Sequence, residues 1–453
     1  IFNIGILYLM GGQALAEMRD MEKNMKSVIK KWGINGEGIV FRNKKPVFIV
    51  GAIPTERVSY HIVQEHKTYC IGELEKVEQE SSLRRYPVCQ YADRCSGCSL
   101  MHVKYKGQCK MKEQILKESL KKYAQYDGPI EPIRKNINNL GYRNSCKLPL
   151  RVIQGKLVSG MYKKNSNDFV AIDHCLIHSK YIEHVRKQIL EVINNYGSAL
   201  DKTLFKSLVI KEFNEKIQII LVTGPMDFPQ KLIDQICNIE GIVSLWQSIK
   251  TDRSVDVFGS EMKHLALEMN ITLNIEDLQL SLLPRSFFQL NTTQAVEIYK
   301  YVSSLVDSCN LLVEAYCGIG AMSLFCAKKV KQVIGIEYID DAVKNAKENA
   351  KINHIKNASF ICGDAGQVLR NISKDHEIDT LIVDPPRTGL DRVMIDTILS
   401  SNIKNIIYVS CNPSTLAKNI DALNKRYHLV QVQPFDLFSQ TQHIETVCLF
   451  KRS

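Results

Sequence analysis

Cys411 stands in the run Tyr408-Val409-Ser410-Cys411-Asn412-Pro413, directly after the apolar, strand-like stretch Asn405 to Val409. A thiol at the C-terminal end of a strand in an α/β sheet faces the crevice where such sheets bind ligands. Thiolate is a strong nucleophile, so the placement points to covalent catalysis beside a bound cofactor. Packing as a small buried residue is the commoner fate of a lone cysteine; here the upstream residues weigh toward chemistry. Glu314-Ala315-Tyr316-Cys317-Gly318-Ile319-Gly320 lies between a predicted strand and a predicted helix. Gly318 and Gly320 permit a tight turn and close backbone approach to a ligand, with free N–H groups at the helix start. Glu337 follows Gly320 by 17 residues, after a second strand, where an acid can bind ribose hydroxyls. Position 323 is Ser where a dinucleotide fingerprint has its third glycine, which favours a smaller adenosyl ligand over NAD. Asp364 follows a third strand and could approach an adenine, although a plain helix N-cap explains it equally well. Asp384-Pro385-Pro386-Arg387 ends a fourth strand, and its two prolines stiffen a loop that carries an oriented carboxylate.

A second constellation is Cys89-x5-Cys95-x2-Cys98, with Cys175 much later. Three closely spaced cysteines point to metal binding, and the spacing alone leaves zinc and iron–sulfur open. Other cysteines, such as Cys109, Cys146 and Cys237, read as small apolar packing residues.

The chain has 453 residues, fourteen cysteines and a formal net charge of +11. That length holds two to four domains. The basic excess points to an acidic partner, nucleic acid first, against the plain alternative of a solvated basic surface. The cysteine pattern is not that of a small secreted disulfide scaffold, and it reads as a protein of the reducing cytoplasm. No apolar run is long enough to span a bilayer, so no membrane is expected as a partner. Residues 1–25 read as a disordered or loosely packed extension: the apolar start lacks a basic n-region, and Met10, Met18, Met21 and Met25 are all candidate starts.

These residues need elements to hold them. Residues 26–82 read as short strands punctuated by Gly33, Gly36, Gly38, Gly51 and Pro54, which predicts a small OB-like β-barrel. A helical, basic stretch follows, with Lys104, Lys106, Lys110, Lys112, Lys117, Lys121 and Lys122 against Glu113 and Glu118, and Ile115, Leu116 and Leu120 as its buried stripe. The central region, 83–284, mixes strands and helices as an α+β domain. From 285 to 453 strands and helices alternate, which predicts a parallel, Rossmann-like sheet with crossover helices and an α/β fold class.

Taken in order, Ser286-Phe287-Phe288-Gln289-Leu290-Asn291, the Tyr316 to Gly320 loop, Ile336-Glu337, Asp384-Pro385-Pro386-Arg387, Ser410-Cys411-Asn412-Pro413 and His443-Ile444-Glu445-Thr446 resemble the S-adenosylmethionine-dependent RNA (uracil-C5)-methyltransferase family. The likeness covers nearly the whole chain after about residue 25. It implies that Gln289, Tyr316, Glu337 and Asp384 contact the cofactor or the reacting groups, and that Phe287 lies beside the target base. It implies a TRAM barrel at the N-terminus. It also implies a [4Fe–4S] cluster on Cys89, Cys95, Cys98 and Cys175, in a structural or RNA-positioning role. The barrel and the cysteine spacing look more like the 23S ribosomal RNA branch than the transfer RNA enzymes.

The implied chemistry fits the residue types. Uracil C5 is too poor a nucleophile to attack a sulfonium methyl unaided. Addition of the Cys411 thiolate to C6 makes C5 nucleophilic, and after transfer Glu445 is the candidate base for the C5 proton. A base inside a stem must be turned out of its stack. Transfer RNA uracil methylation, cytosine-C5 methylation and a non-enzymatic RNA-binding assembly factor are the rival readings. A monomer is expected.

Overall fold

The structure is a computed structural model and describes residues 25–164, 166–197 and 200–453. The expected extension over 1–25 lies outside the described residues apart from Met25, which opens the first strand. The chain divides into two compact units. One holds the chain up to Ala92, with Cys98–Ile115 and Gln440–Gln442; the other holds Asp93–Gly97, Leu116–Ser439 and His443–Ser453.

The first unit carries β1 (Met25–Val28), β2 (Lys31–Trp32), β3 (Gly38–Arg42), β4 (Lys45–Ile49), β5 (Arg57–Glu65) and β6 (Cys70–Gln79) in one sheet ordered β1-β5-β6-β4-β3-β2. Ile29, Val40, Val47, Ile49, Val58, Tyr60 and Ile62 make its core. The expected closed barrel is not what this ladder describes: β1 and β2 are its two edges and do not pair. The chain changes partner between them, since Ile29 N donates to Glu56 O and Lys30 N donates to Ile39 O. Glu56, fully buried, is held by Arg84 at 2.8 Å and by the Ile53 amide at 2.9 Å. Paired and hydrogen-bonded in this way, a buried carboxylate escapes most of its desolvation cost.

Helix α1 (Tyr105–Ala124) buries Ile115, Leu116 and Leu120. It also buries Lys112 completely, which removes that lysine from the exposed charge of the basic stretch.

The second unit begins its regular structure with a sheet of β7 (Ser145–Ile153), β8 (Lys156–Tyr162), β9 (Phe169–Ala171), β10 (Phe205–Phe213), β11 (Lys216–Thr223), β12 (Ile242–Ile249) and β13 (Glu261–Leu267). Helices α2 (Lys180–Asn195) and α3 (Gln230–Cys237) set Ile182, Ile189, Leu232 and Ile236 into one core with Leu208, Ile210, Ile219 and Leu221 of the sheet. Full burial of one such side chain stabilises by about 1.5–3 kcal/mol. A hairpin, β14 (Ile271–Ile275) and β15 (Leu278–Leu282), and α4 (Thr292–Leu305) follow.

The last sheet runs β18 (Ala358–Cys362), β17 (Val330–Glu337), β16 (Cys309–Ala315), β19 (Thr380–Val383), β20 (Asn405–Ser410), β22 (Glu445–Arg452), β21 (Tyr427–Phe435). Its first five strands are parallel, and α5 (Ala321–Cys326), α6 (Asp340–Ile352), α7 (Ala365–Asp375), α8 (Arg392–Ser400) and α9 (Pro413–Leu423) lie between strands in the chain. The sheet is mixed rather than wholly parallel, because β22 runs antiparallel to both β20 and β21. No helix separates β21 from β22 in the chain, so they join as a hairpin does. Strand order reverses between β16 and β19. The C-terminal ends of those two strands therefore flank the crevice where such sheets take ligands.

Two asparagines on one face of α6 and a third at its C-cap staple β15 to this sheet's helix layer. Asn345, Asn349 and Asn353 recur every four residues, which stacks them along the helix. Ser281 N donates to Asn349 at 2.8 Å, Gln279 N to Asn353 at 2.8 Å and Leu283 N to Asn345 at 3.3 Å. In return Asn345 donates to Ser281 O at 2.7 Å and Asn353 to Gln279 O at 2.7 Å. Carboxamides thus satisfy an edge strand as another strand would.

Candidate active site

The loop after β16 is built for close approach. Tyr316, Gly318 and Gly320 have φ of 67°, 54° and 78°. Gly320 has no alternative: a Cβ there would meet the Phe360 ring at 2.8 Å and Ala346 at 3.1 Å. At Gly318 a Cβ would meet nothing within 4 Å, so open space borders the loop on that side. Glu337, at the end of β17, accepts from Gly318 N at 3.0 Å with one oxygen and from Ile339 N at 2.9 Å with the other. Each oxygen keeps acceptor capacity for a hydroxyl. Asp364 caps α7, accepting from Gln367 N at 3.0 Å. The glycine cradle, its open side and the acid at the second strand's end fit an adenosyl cofactor: Gly318, Gly320 and Glu337 would hold it.

A second wall lies at the C-terminal end of β20. In the β20–β22 ladder Ser410 pairs with Thr446, so Cys411 and Glu445, one step further on each strand, meet at the same end. Glu445 is 3% exposed and Cys411 half-buried. Asp384 directly follows β19, beside β20. Burial pushes the Cys411 thiol up to about 11, helped by the charges of Glu445 and Asp384 and opposed by Arg387. Burial likewise raises Asp384 to about 7. It lifts Glu445 well above the usual carboxylate range, with Asp384 adding and Arg387 opposing. The three acids and the one cation therefore share one field. The first turn of α9 fixes the Asp384–Arg387 turn: Asn412 and Thr415 donate to the Arg387 carbonyl at 3.1 Å and 3.2 Å. The Arg387 guanidinium lies 3.4 Å from His443 Nε2.

A third wall is the loop after β15. Ser286 donates to Asn345 at 2.6 Å, Asn144 to the Gln289 carbonyl at 2.8 Å, and Lys211 to the carbonyls of Leu283 and Ser286 at 3.1 Å and 2.8 Å. Between these anchors Phe287 stands 68% exposed and Gln289 half-buried. Asn349 also donates to Ile319 O at 3.1 Å, so the asparagine ladder touches the glycine loop as well. Sequence reasoning passed over Asn345, Asn349, Asn144 and Lys211. The four-residue spacing of asparagines on α6 was a signal for the ladder; nothing local marked Asn144 or Lys211. It also passed over Glu314, two residues before Tyr316, which burial raises to about 8 while Ser323 donates to it.

Among the described residues no group of three or more His, Cys, Asp or Glu is arranged to hold a metal ion. Cys89, Cys95, Cys98 and Cys175 are all half-buried thiols, and Cys95 accepts from Gly97 N at 3.3 Å. Also among the described residues, no helix is long and apolar enough to cross a membrane.

Comparison with known proteins supplies the class. The family model described as tRNA (Uracil-5-)-methyltransferase matches residues 104–453. An uncharacterized RNA methyltransferase of Caldanaerobacter subterraneus subsp. tengcongensis is 35% identical over 439 residues, covering 94% of this chain and 97% of that protein. One of Enterococcus faecalis is 32% identical over 440 residues, covering 94% and 96%. The fold is similar to the crystal structure of Pyrococcus abyssi tRNA (uracil-54, C5)-methyltransferase in complex with S-adenosyl-L-homocysteine, with a TM-score of 0.77, 24% identity, and coverage of 94% of this chain and 100% of that one. The chain belongs to the tRNA (uracil-5-)-methyltransferase family and is an S-adenosylmethionine-dependent RNA methyltransferase.

Proposed function

We propose that this protein methylates C5 of a uridine through a covalent bond between Cys411 and C6. The observation that carries the reading is the shared strand end of Cys411 and Glu445, with Asp384 and Arg387 acting on both. Arg387 stabilises the thiolate that adds to C6. Charge then develops on the uracil carbonyl conjugated with C5, where Asp384, carrying a proton for part of the time near neutral pH, can donate a hydrogen bond. Bound S-adenosylmethionine supplies the methyl group. Gly318, Gly320 and Glu337 hold it; Tyr316, Asp364 and Gln289 complete the pocket. Glu445, made more basic by burial, takes the C5 proton, and the electrons of that C–H bond re-form the C5–C6 double bond as the thiolate leaves. Phe287 stacks on the extruded base.

Within this reading residues 26–82 form the N-terminal RNA-binding module of TRAM type, 83–284 the central domain and 285–453 the catalytic domain of a cytoplasmic monomer. We favour 23S ribosomal RNA as substrate, supported by the Cys89-x5-Cys95-x2-Cys98 spacing with Cys175, which resembles the ribosomal branch. A [4Fe–4S] cluster on those four thiols rests on that spacing alone, and no step of the reaction passes through it. A brown anaerobic preparation absorbing near about 400 nm supports it; stoichiometric zinc without iron, or no metal, opposes it. Transfer RNA uridine is the second reading, favoured by the likeness to the Pyrococcus abyssi enzyme. Mapping 5-methyluridine in ribosomal and transfer RNA from cells with and without the gene decides between them. No change in either RNA contradicts the proposal.

A further inference from the structure

Beside Phe287 the surface gathers positive charge on one aromatic ring. Lys147 Nζ lies 5.0 Å from the centroid of Phe258, and the Arg285 guanidinium carbon lies 5.9 Å from it. Both cations are exposed, and Arg285 also donates to the Gly259 carbonyl. Among the described residues neither makes an ion pair with a carboxylate. Asp256 attracts Lys147 from beyond ion-pair distance. Behind them lies Lys211, whose ammonium is met by the carbonyls of Leu283 and Ser286 rather than by an acid. Burial, and the charge of Lys147, bring Lys211 down to about 7. The like charges thus repel across this patch, and an anion would relieve them.

Cation–π contact explains how Lys147 and Arg285 are held, not why two unpaired cations share a ring. A guanidinium from the loop after β15 and an ammonium from β7, converging on one ring, form a ready phosphate site. Arg285 is two residues from Phe287, so a phosphate held there belongs to the nucleotide chain entering beside that exposed ring. We propose that Lys147 and Arg285, gathered on Phe258, bind a backbone phosphate of the RNA strand that presents the target uridine. The inference rests on the RNA-methyltransferase reading and adds a site to it.

The test is the salt dependence of RNA binding, measured by anisotropy with a short fluorescein-labelled oligouridylate across a KCl series. Each phosphate contact to a single strand contributes about −0.7 to the slope of log K against log salt. K147Q and R285Q are each expected to make the slope shallower by about that amount and to raise KM for RNA. R285K keeps the charge and is expected to keep the slope. Thermal melts confirm that the variants are folded. Wild-type slopes for both K147Q and R285Q overturn the site, and so does an equal loss in R285K and R285Q, which would assign Arg285 to its Gly259 hydrogen bond. Normal slope changes in a protein that makes no 5-methyluridine would leave the site standing and overturn the proposed reaction instead.

Discussion

Ser410 and Thr446 face one another across the antiparallel β20–β22 ladder. That pairing sets Cys411 and Glu445 at one strand end, although 34 positions separate them in sequence. The C-terminal ends of β16 and β19 flank the crevice, and the antiparallel insertion of β22 brings Glu445 to Cys411. In a wholly parallel sheet the residue that opens one strand lies at the opposite end from the residue that follows its neighbour.

The charges around Cys411 give a pH prediction. Without RNA the thiol stays protonated until about pH 11, so alkylation by iodoacetamide should rise toward that midpoint. Asp384→Asn removes a repelling charge and should move the midpoint down; Arg387→Gln removes the attracting one and should move it up. Rates of alkylation at Cys411, read by peptide mass spectrometry across pH, check both signs.

Gly320 and Gly318 should respond differently to alanine. Gly320→Ala faces a positive φ and the Phe360 ring at 2.8 Å, so it should cost well over ~1 kcal/mol and weaken S-adenosylhomocysteine binding at least tenfold. Gly318→Ala meets open space, so its cost should be limited to the ~1 kcal/mol of the backbone conformation. Calorimetric titration and denaturant melts separate the two.

Asn349→Ala strips partners from the Ser281 amide and the Ile319 carbonyl. Leaving two buried groups unpaired should cost about 2 kcal/mol or more. Because Ile319 sits in the glycine loop, affinity for S-adenosylhomocysteine should fall with stability. Loss of stability with unchanged affinity would show that the ladder holds β15 alone.

Lys211 yields a stability signature. Its folded pKa of about 7 lies below the ordinary lysine value of 10.5, so the folded state binds fewer protons between those values. Stability should therefore rise with pH through that window, by up to ~1.4 kcal/mol per pH unit, and Lys211→Met should abolish the rise. Urea melts of both proteins across the window test this.

How legible the site was depends on where its signal lay. The glycine loop, Glu337 and the Asp384 turn are punctuated by Gly and Pro at strand ends, and such residues announce backbone geometry locally. The parallel strands showed as short apolar runs because helices cover both faces. β22 was harder to place, since a strand's direction depends on its partner and not on its own residues. The burial of Lys112 and Lys211, and the six-stranded sheet in place of a closed barrel, come from tertiary packing that composition does not encode.

The most direct test of the mechanism is to incubate Glu445→Gln with uridine-containing RNA and S-adenosylmethionine, denature, and map any protein–RNA linkage by mass spectrometry. The account predicts a stable adduct at Cys411 carrying an already methylated uridine, and none when Cys411→Ala is combined with it. Full turnover by the Cys411→Ala protein, or an adduct mapped to another residue, would contradict it.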